Sequence, residues 1–401
     1  EYVDAIVEDV KFLGIAPSAT LFVSNDMPKI YSLAELLIKK GMAYVCFCSR
    51  EKMQESRHKS IPCNCRETQV TINLQEWENM LAKRYKEGEC VLRLRGDLDA
   101  ANQVMRDPVL FRISYEKHFL QGEKYSVWPL YDFENAVEDG VQNVTHIMRS
   151  IEFGAMRIEL QDFIKKLLNL PKQDVVQYGR FNVIGAVTQG RVIREQIEKG
   201  EFEGWDDPRL VTIRALKRRG IQPEMFRELA IEVGLSTTPT NIDWSVIAAY
   251  NRKILDPLCN RYFFVPNPRK IIIEGSPKRE IEIKLHPEQP EKGSRKLHTN
   301  EEFYLAEKDV SLIKEELVRL MDCLNFRMKG QKFVFDSVEH EKYRKEGKKI
   351  IQWVPADNIG IEVLMPDATI MKGAAETAVK ELEVGEIVQF VRFGFCRLEK
   401  R

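Results

Sequence analysis

Four cysteines stand close together in the chain. Cys46 and Cys48 form one Cys-x-Cys pair and Cys63 and Cys65 a second, with fourteen residues between the pairs. Four thiolates in two such pairs can surround a tetrahedral zinc ion at about 2.3 Å per bond. Pro62 and the polar run between the pairs suit a knuckle. Four sulfurs fill the coordination shell, so the centre reads as structural rather than catalytic. The competing reading is a set of unrelated free thiols. It is the weaker one, because half of the eight cysteines fall within twenty positions. The remaining four (Cys90, Cys259, Cys323, Cys396) are scattered, as ordinary reduced thiols are. With no disulfide framework in the spacing, a cytosolic setting fits. The other concentrated chemistry is the basic run Arg214–Arg219 (RALKRR). On charge alone it reads as a solvated helix face.

These residues need elements to hold them. The opening segment, residues 1–14, carries Val3, Ile6, Val10 and Leu13 at helical spacing and starts in mid-pattern. The expectation is that the sequence begins inside a domain. A helix is predicted over 29–40, stopped by Gly41, followed by an apolar stretch at 43–48. Trp77–Tyr85 reads as a helix, Cys90–Arg95 as a half-exposed strand, and 126–133 as a buried strand leading into a loop. Helices follow at 158–170 and 192–199. Asp207 and Pro208 predict an N-cap and N1 proline for a helix running to Arg219, and Pro223–Val233 gives one more. After about Pro257 short alternating runs appear at 270–274, 280–285, 333–335, 350–354, 361–364 and 387–392. This is all-β texture, for which closed barrels are a common solution.

A chain of 401 residues favours two to four domains. Lys plus Arg equals Asp plus Glu at 61 each, which argues against a uniformly basic nucleic-acid packer but leaves room for a local basic face. No stretch approaches the ~18 apolar residues of a membrane span.

Four blocks carry a resemblance to glutamyl-tRNA synthetases of the archaeal and eukaryotic type. They are KYSVWPLYDFENAVEDGVQNVTHIMRSIEF at 124–153, YGRFNVIGAVTQGRV at 178–192, GEFEGWDDPRLVTIRALKRRGIQPEMFRELAIEVG at 200–234, and NRKILDPLCNRYFFV at 251–265. The Cys-x-Cys pairs and the ending VGEIVQFVRFGFCRLEK are similar as well. The resemblance implies an α/β plus all-β chain. Residues 1–43 would be the remnant of the first half of a Rossmann-type class I catalytic domain, and 44–123 the zinc-bearing connective insertion that holds the tRNA acceptor end. Residues 124–180 would form the second Rossmann half, 181–256 a helical stem-contact domain, and 257–401 two anticodon-binding β-barrels. It also implies the reaction. Glutamate attacks the α-phosphate of ATP, with Mg²⁺ assisting, and the adenylate passes its acyl group to the terminal ribose of tRNA(Glu). Whether the glutamine tRNA receives glutamate too, as in many members, stays open, and a monomer is the family default.

The resemblance assigns residues to this chemistry. Arg149 falls where the family places the arginine that meets the substrate's side-chain carboxylate, and a guanidinium fork separates glutamate from the neutral isostere glutamine. Tyr131, eighteen residues earlier, falls at a substrate-binding tyrosine, and His146 at the edge of the nucleotide pocket. Arg209 and Arg214 are candidates for tRNA phosphate contacts. The chain also departs from the family pattern. No HIGH-type signature occurs in residues 1–43. Where relatives read VLSKSK, this chain reads Val187-Thr188-Gln189-Gly190-Arg191-Val192, so the lysine position falls on Gly190. Arg191, one residue on, is the remaining candidate for triphosphate charge. Two further readings therefore stand: a synthetase-like protein that binds tRNA without charging it, and a glutaminyl enzyme, which Arg149 disfavours.

Overall fold

The computed structural model describes residues 2–401. The chain forms two compact units. One comprises Pro17–Arg180 and the short segment Leu235–Thr240; the other holds the chain up to Ala16, Phe181–Gly234 and Asn241–Arg401. No helix is long and apolar enough to cross a membrane among the described residues.

Helix α1 (Tyr2–Phe12) opens the chain and belongs to the second unit. Of its predicted face, Val3, Val10 and Leu13 are half-buried, while Ile6 is exposed. The first unit begins with α2 (Met27–Lys39), which buries Met27, Ile30, Ala34, Leu37 and Ile38 along one face. Its end is fixed by Gly41 at φ +67°. There the Gly41 and Met42 amides fold back to the Ile38 and Leu37 carbonyls, satisfying the last turn. Next come β1 (Ala43–Cys46), α3 (Arg50–Lys59), α4 (Val70–Leu81), β2 (Val91–Leu94), β3 (Val109–Ile113) and β4 (Val127–Pro129). The four strands make one antiparallel sheet in sequence order. One face of it, with Val45, Leu92, Leu94 and Phe111, packs on Trp77, Met80, Phe133 and Leu160. The other face carries Tyr44, Cys46 and Arg93. The alternation of Cys90–Arg95 predicts a half-exposed strand; instead Arg93 is fully buried, because the cysteine centre covers the second face.

The unit is completed by α5 (Tyr131–Val141), β5 (His146–Ser150), α6 (Gly154–Leu168) and β6 (Asp174–Tyr178). β5 and β6 pair in parallel, joined through α6 as a β–α–β unit. The loop expected after 126–133 is the helix α5, which starts directly after Pro129 and Leu130. Segment Leu235–Thr240 returns to this unit. The Gly179 amide donates to the Ser236 carbonyl at 2.6 Å and the Thr240 amide to the Arg180 carbonyl at 2.9 Å. Position 179 must be glycine, since a Cβ there would lie 2.3 Å from the Thr238 carbonyl oxygen.

In the second unit, α7 (Gly190–Glu198), α8 (Ile213–Arg218), α9 (Pro223–Val233) and α10 (Trp244–Leu255) form the helical part. Helix α8 starts five residues later than Asp207 and Pro208 predict, and its cap is Thr212, whose Oγ1 accepts from the Ala215 amide at 3.1 Å. Asp207 has a different task. It is fully buried and accepts from the Arg209 amide (3.0 Å), Nε (2.8 Å) and Nη2 (2.7 Å) and from the Glu203 amide (3.0 Å). Four donors saturate one carboxylate. Those bonds, Arg209's first, hold the Asp207 carboxyl far below the usual range.

Every alternating run after Pro257 contains strand, with 350–354 split at Gln352 into two, but the expected β-barrels are not formed. Among the described residues each sheet runs from one edge to another without closing. The largest has seven strands, in the order Gly347–Ile351, Leu317–Leu320, Asn325–Lys329, Lys332–Ser337, Pro268–Glu274, Glu302–Ala306, Trp353–Pro355. Its two edge strands follow one another in the chain across Gln352 and do not pair laterally. The sheet bends at Pro268–Glu274, whose first half pairs antiparallel with Glu302–Ala306 and whose end pairs parallel with Lys332–Ser337. Phe263, Phe303, Phe326 and Trp353 fill its core. The hairpin Arg279–Lys284/Ser294–Thr299 is tied to strand Ile370–Glu376 by the ion pair of Arg295 and Glu376, both buried. Arg295 Nη1 also donates to the Lys284 carbonyl at 2.7 Å, and Glu376 accepts from the Phe263 amide at 3.1 Å.

Two outcomes follow. Arg295→Met leaves Glu376 buried without its cation and is expected to cost about 3–5 kcal/mol in urea unfolding of the second unit, most of it recovered when Glu376→Met is added; a single variant as stable as wild type would assign the pair no role. For Asp207 the folded pKa is depressed, so its contribution is present above the unfolded carboxyl pKa of about 4 and is lost as pH falls below it. The stability gap between wild type and Asp207→Asn, about 2 kcal/mol near neutrality, should therefore hold to about pH 5 and narrow below pH 4. A gap unchanged down to pH 3 would contradict the assignment.

Candidate active site and metal centre

Strand β1 delivers Cys46 at its end, and Cys48 follows before Ser49 caps α3. Cys63 and Cys65 sit at the short 3-10 turn Asn64–Glu67. The sulfurs of all four lie within 4.8 Å of one another, and those of Cys46 and Cys63 are 3.9 Å apart. A tetrahedron with bonds of about 2.3 Å has edges of about 3.8 Å, so the set fits a tetrahedral thiophilic cation with little movement. Cys46 and Cys63 are buried, Cys48 and Cys65 half-exposed. The hydrogen bond between Cys46 and Cys63 splits their acidity: it pulls the Cys63 thiol down, helped by the Tyr44 hydroxyl and the Arg93 charge, and together with burial pushes Cys46 up. Tyr44 donates to Asp107 Oδ2 at 2.9 Å, and Arg66 Nε reaches the same oxygen at 3.0 Å. Asp107 thereby ties both pairs of the knuckle to the loop after β2.

The second cluster lies between α5, β5 and α6. Tyr131 starts α5, and Asn135 and Asp139 follow at i+4 and i+8 on the same face. Arg149 on β5 is buried against that face. Its Nη2 donates to Asp139 at 2.9 Å and, more weakly, to Asn135 at 3.4 Å; its Nη1 donates to Gln161 of α6. The guanidinium carbon lies 5.9 Å from the centre of the Tyr131 ring. That ring stacks on Phe153 at 5.0 Å. Arg157 also lies 5.9 Å from the ring centre and donates to Asp132 at 2.6 Å. Burial raises the Asp139 carboxyl although Arg149 and Lys165 oppose it, and burial lowers Lys165. Arg149, Arg157 and Lys165 thus meet the carboxylates of Asp132, Asp139 and Asp162, and each arginine is paired with one of them.

The structure brings Tyr131 and Arg149 together. His146 is on β5 as well, but three positions away, on the opposite face. It is exposed, with Nε2 3.8 Å from Asp174. Arg191 lies in the other unit, on the first turn of α7, exposed and 3.0 Å from Glu195. A Cβ at Gly190, the residue before it, would meet nothing within 4 Å. Arg209 is held by Asp207 and donates to the Glu201 carbonyl at 2.7 Å, so its fork is largely taken. Arg214 is half-exposed and 2.9 Å from Glu8. With Trp205, Lys217, Arg218 and Arg397 it lines an open cavity of about 630 Å³. Sequence reading missed Asp139, Gln161 and Arg93. The spacing 131, 135, 139 was a helical signal for Asp139, hidden by reading that stretch as a loop; nothing local marks Arg93 as buried.

Comparison with known proteins identifies the family. Residues 1–257 match the family model "tRNA synthetases class I (E and Q), catalytic domain". Residues 259–346 and 350–399 match two models described as anti-codon binding domains of the same synthetases. The glutamate–tRNA ligase of Pyrococcus abyssi is 41% identical over 100% of this chain and 71% of its own length. That of Pyrococcus horikoshii is 42% identical over 98% of this chain and 71% of its own. That of Methanothermobacter thermautotrophicus is 37% identical over 100% and 71%. With catalytic and anticodon-binding models together spanning nearly all of its length, the chain belongs to the class I tRNA synthetases for E and Q, and within them to the archaeal glutamyl type.

Proposed function

We infer that this chain is a glutamate–tRNA ligase, joining glutamate to the 3′ end of tRNA(Glu) at the expense of ATP through glutamyl-adenylate. The observation that carries this is the 41% identity to the Pyrococcus abyssi ligase along the whole chain. The chemistry of Arg149 supports glutamate over glutamine: a guanidinium fork makes a charge-assisted pair with a carboxylate that a neutral amide cannot reproduce. In this reading Arg149 takes the substrate side chain and Tyr131 orients it. His146 edges the nucleotide, and Arg191 faces phosphate. Arg214, whose fork is freer than that of Arg209, leads the contacts to tRNA phosphates. Residues 44–123 hold the acceptor end, 181–256 meet the stem, and 257–401 bind the anticodon. The four cysteines hold a structural Zn²⁺, which supplies a cross-link at the start of the acceptor-end segment. Mg²⁺ on the triphosphate supplies charge neutralisation, and the residues' share is placement and electrostatic stabilisation.

Gly190 motivates a second reading, a tRNA-binding protein that charges nothing. Charging of tRNA with labelled glutamate separates the two: product supports the ligase, while salt-dependent tRNA binding with no product favours the binder. Preference for glutamine would sink both in favour of a glutaminyl enzyme. For the ligase, Arg149→Met is expected to lower kcat/KM for glutamate about 10²–10³-fold, the scale of losing one charge-assisted contact in the transition state. A side chain can leave the backbone at Gly190 freely, since its Cβ would meet nothing within 4 Å. Gly190→Lys is expected to raise kcat roughly tenfold or more by restoring charge at the triphosphate; an unchanged kcat would mean that Arg191 already serves.

A further inference from the structure

Arg93 stands in the middle of β2 and exposes none of its surface. A guanidinium taken out of water is costly unless anions or strong dipoles meet it. Its Nε donates to the Asp107 carbonyl at 2.9 Å. Its Nη1 reaches sulfur instead, 3.7 Å from Cys46 Sγ and 3.7 Å from Cys63 Sγ. Its Nη2 has no hydrogen-bond partner among the described residues. The Asp107 carboxylate is already shared by Tyr44, Arg66 and the Gly96 amide. Metal-bound cysteines are thiolates, and four of them around a divalent ion carry a formal charge of minus two. The buried cation and the buried half of that anionic centre are in direct contact.

We propose that Arg93 is the positioning residue of the metal centre: its Nη1 hydrogen-bonds the two buried ligand sulfurs, draws negative charge from them, and so holds the metal against release and the sulfurs against electrophiles. The proposal rests on the reading of the four cysteines as metal ligands. It also makes the centre two-sided. Cys46 and Cys63 lie under the guanidinium, whereas Cys48 and Cys65 are half-exposed and lie outside its hydrogen bonds.

The test uses the full chain purified with zinc, alongside Arg93→Met and Arg93→Lys. Zinc content is measured first, then the rate of zinc transfer to a chromophoric chelator. The sulfur-to-metal charge-transfer band is then read in the Co²⁺-substituted protein. Wild type is expected to hold one zinc. Arg93→Met should release it about 10–100-fold faster, the usual penalty for losing a partner of a metal ligand. Its cobalt band should move to lower energy, because sulfurs without N–H donors give up charge more readily. Arg93→Lys should recover part of both. A purely structural role for Arg93 moves neither the band nor its partial recovery by lysine. Wild-type release and an unmoved band in Arg93→Met overturn the proposal. Should that variant not fold, Arg93→Lys decides alone: an unmoved band and unchanged release overturn it. A wild-type chain that takes up neither zinc nor cobalt overturns the metal reading itself, before any substitution is made.

Discussion

A guanidinium removed from water must find compensating charge or dipoles, and four are buried among the described residues: Arg93, Arg149, Arg295 and Arg319. Each is met differently. Arg93 meets a backbone carbonyl and two sulfurs. Arg149 meets a carboxylate and two side-chain amides. Arg295 meets a carboxylate that has no exposure of its own. Arg319 meets the Asn325 side chain and the Val338 carbonyl. Because the planar fork fixes directions as well as charge, each site locks several elements at once. The knuckle, the α5–β5–α6 cluster and the junction of the C-terminal hairpin are all organised around such a fork.

This bears on selectivity. A site that must prefer a carboxylate over an equally shaped amide needs positive charge that stays unmatched until substrate arrives. Complete neutralisation would leave nothing for the ligand, and an isolated cation would be expensive to bury. The Arg149 cluster sits between these limits. Asp139 and Gln161 orient the fork, and Arg157 and Lys165 add positive charge beside it. The acids beside Arg149 are therefore compatible with binding an acid, since they fix the geometry of its fork.

What could be read from sequence was local. Helix α9 was delimited by Pro223 and Gly234, and the strands after Pro257 by their own alternation, because both signals depend only on neighbouring residues. The cysteine set was legible because ligand spacing is chemistry written directly in the chain. Failures came where one residue type serves two competing roles or where pairing between strands decides. Asp207 carries every local mark of a helix cap, yet Arg209 and the Glu203 amide claim its carboxylate, and Thr212 caps instead. Tyr131–Val141 was hidden because the apolar run before it reads as one continuous strand until Pro129 ends it. Whether strands close a barrel depends on pairing between the two edges of a sheet, and alternation says nothing about it.

The return of Leu235–Thr240 to the first unit has a consequence for the order of synthesis. Domains generally fold as they emerge, amino-terminal part first, at about 5–20 residues per second. Pro17–Arg180 cannot complete itself that way. The partners of the Gly179 amide and the Arg180 carbonyl are Ser236 and Thr240. Helices α7, α8 and α9, all part of the other unit, must be translated before those partners exist. The edge formed by Gly179 and Arg180 thus stays open for several seconds on the ribosome, and the first unit closes only when the chain has already begun building the second.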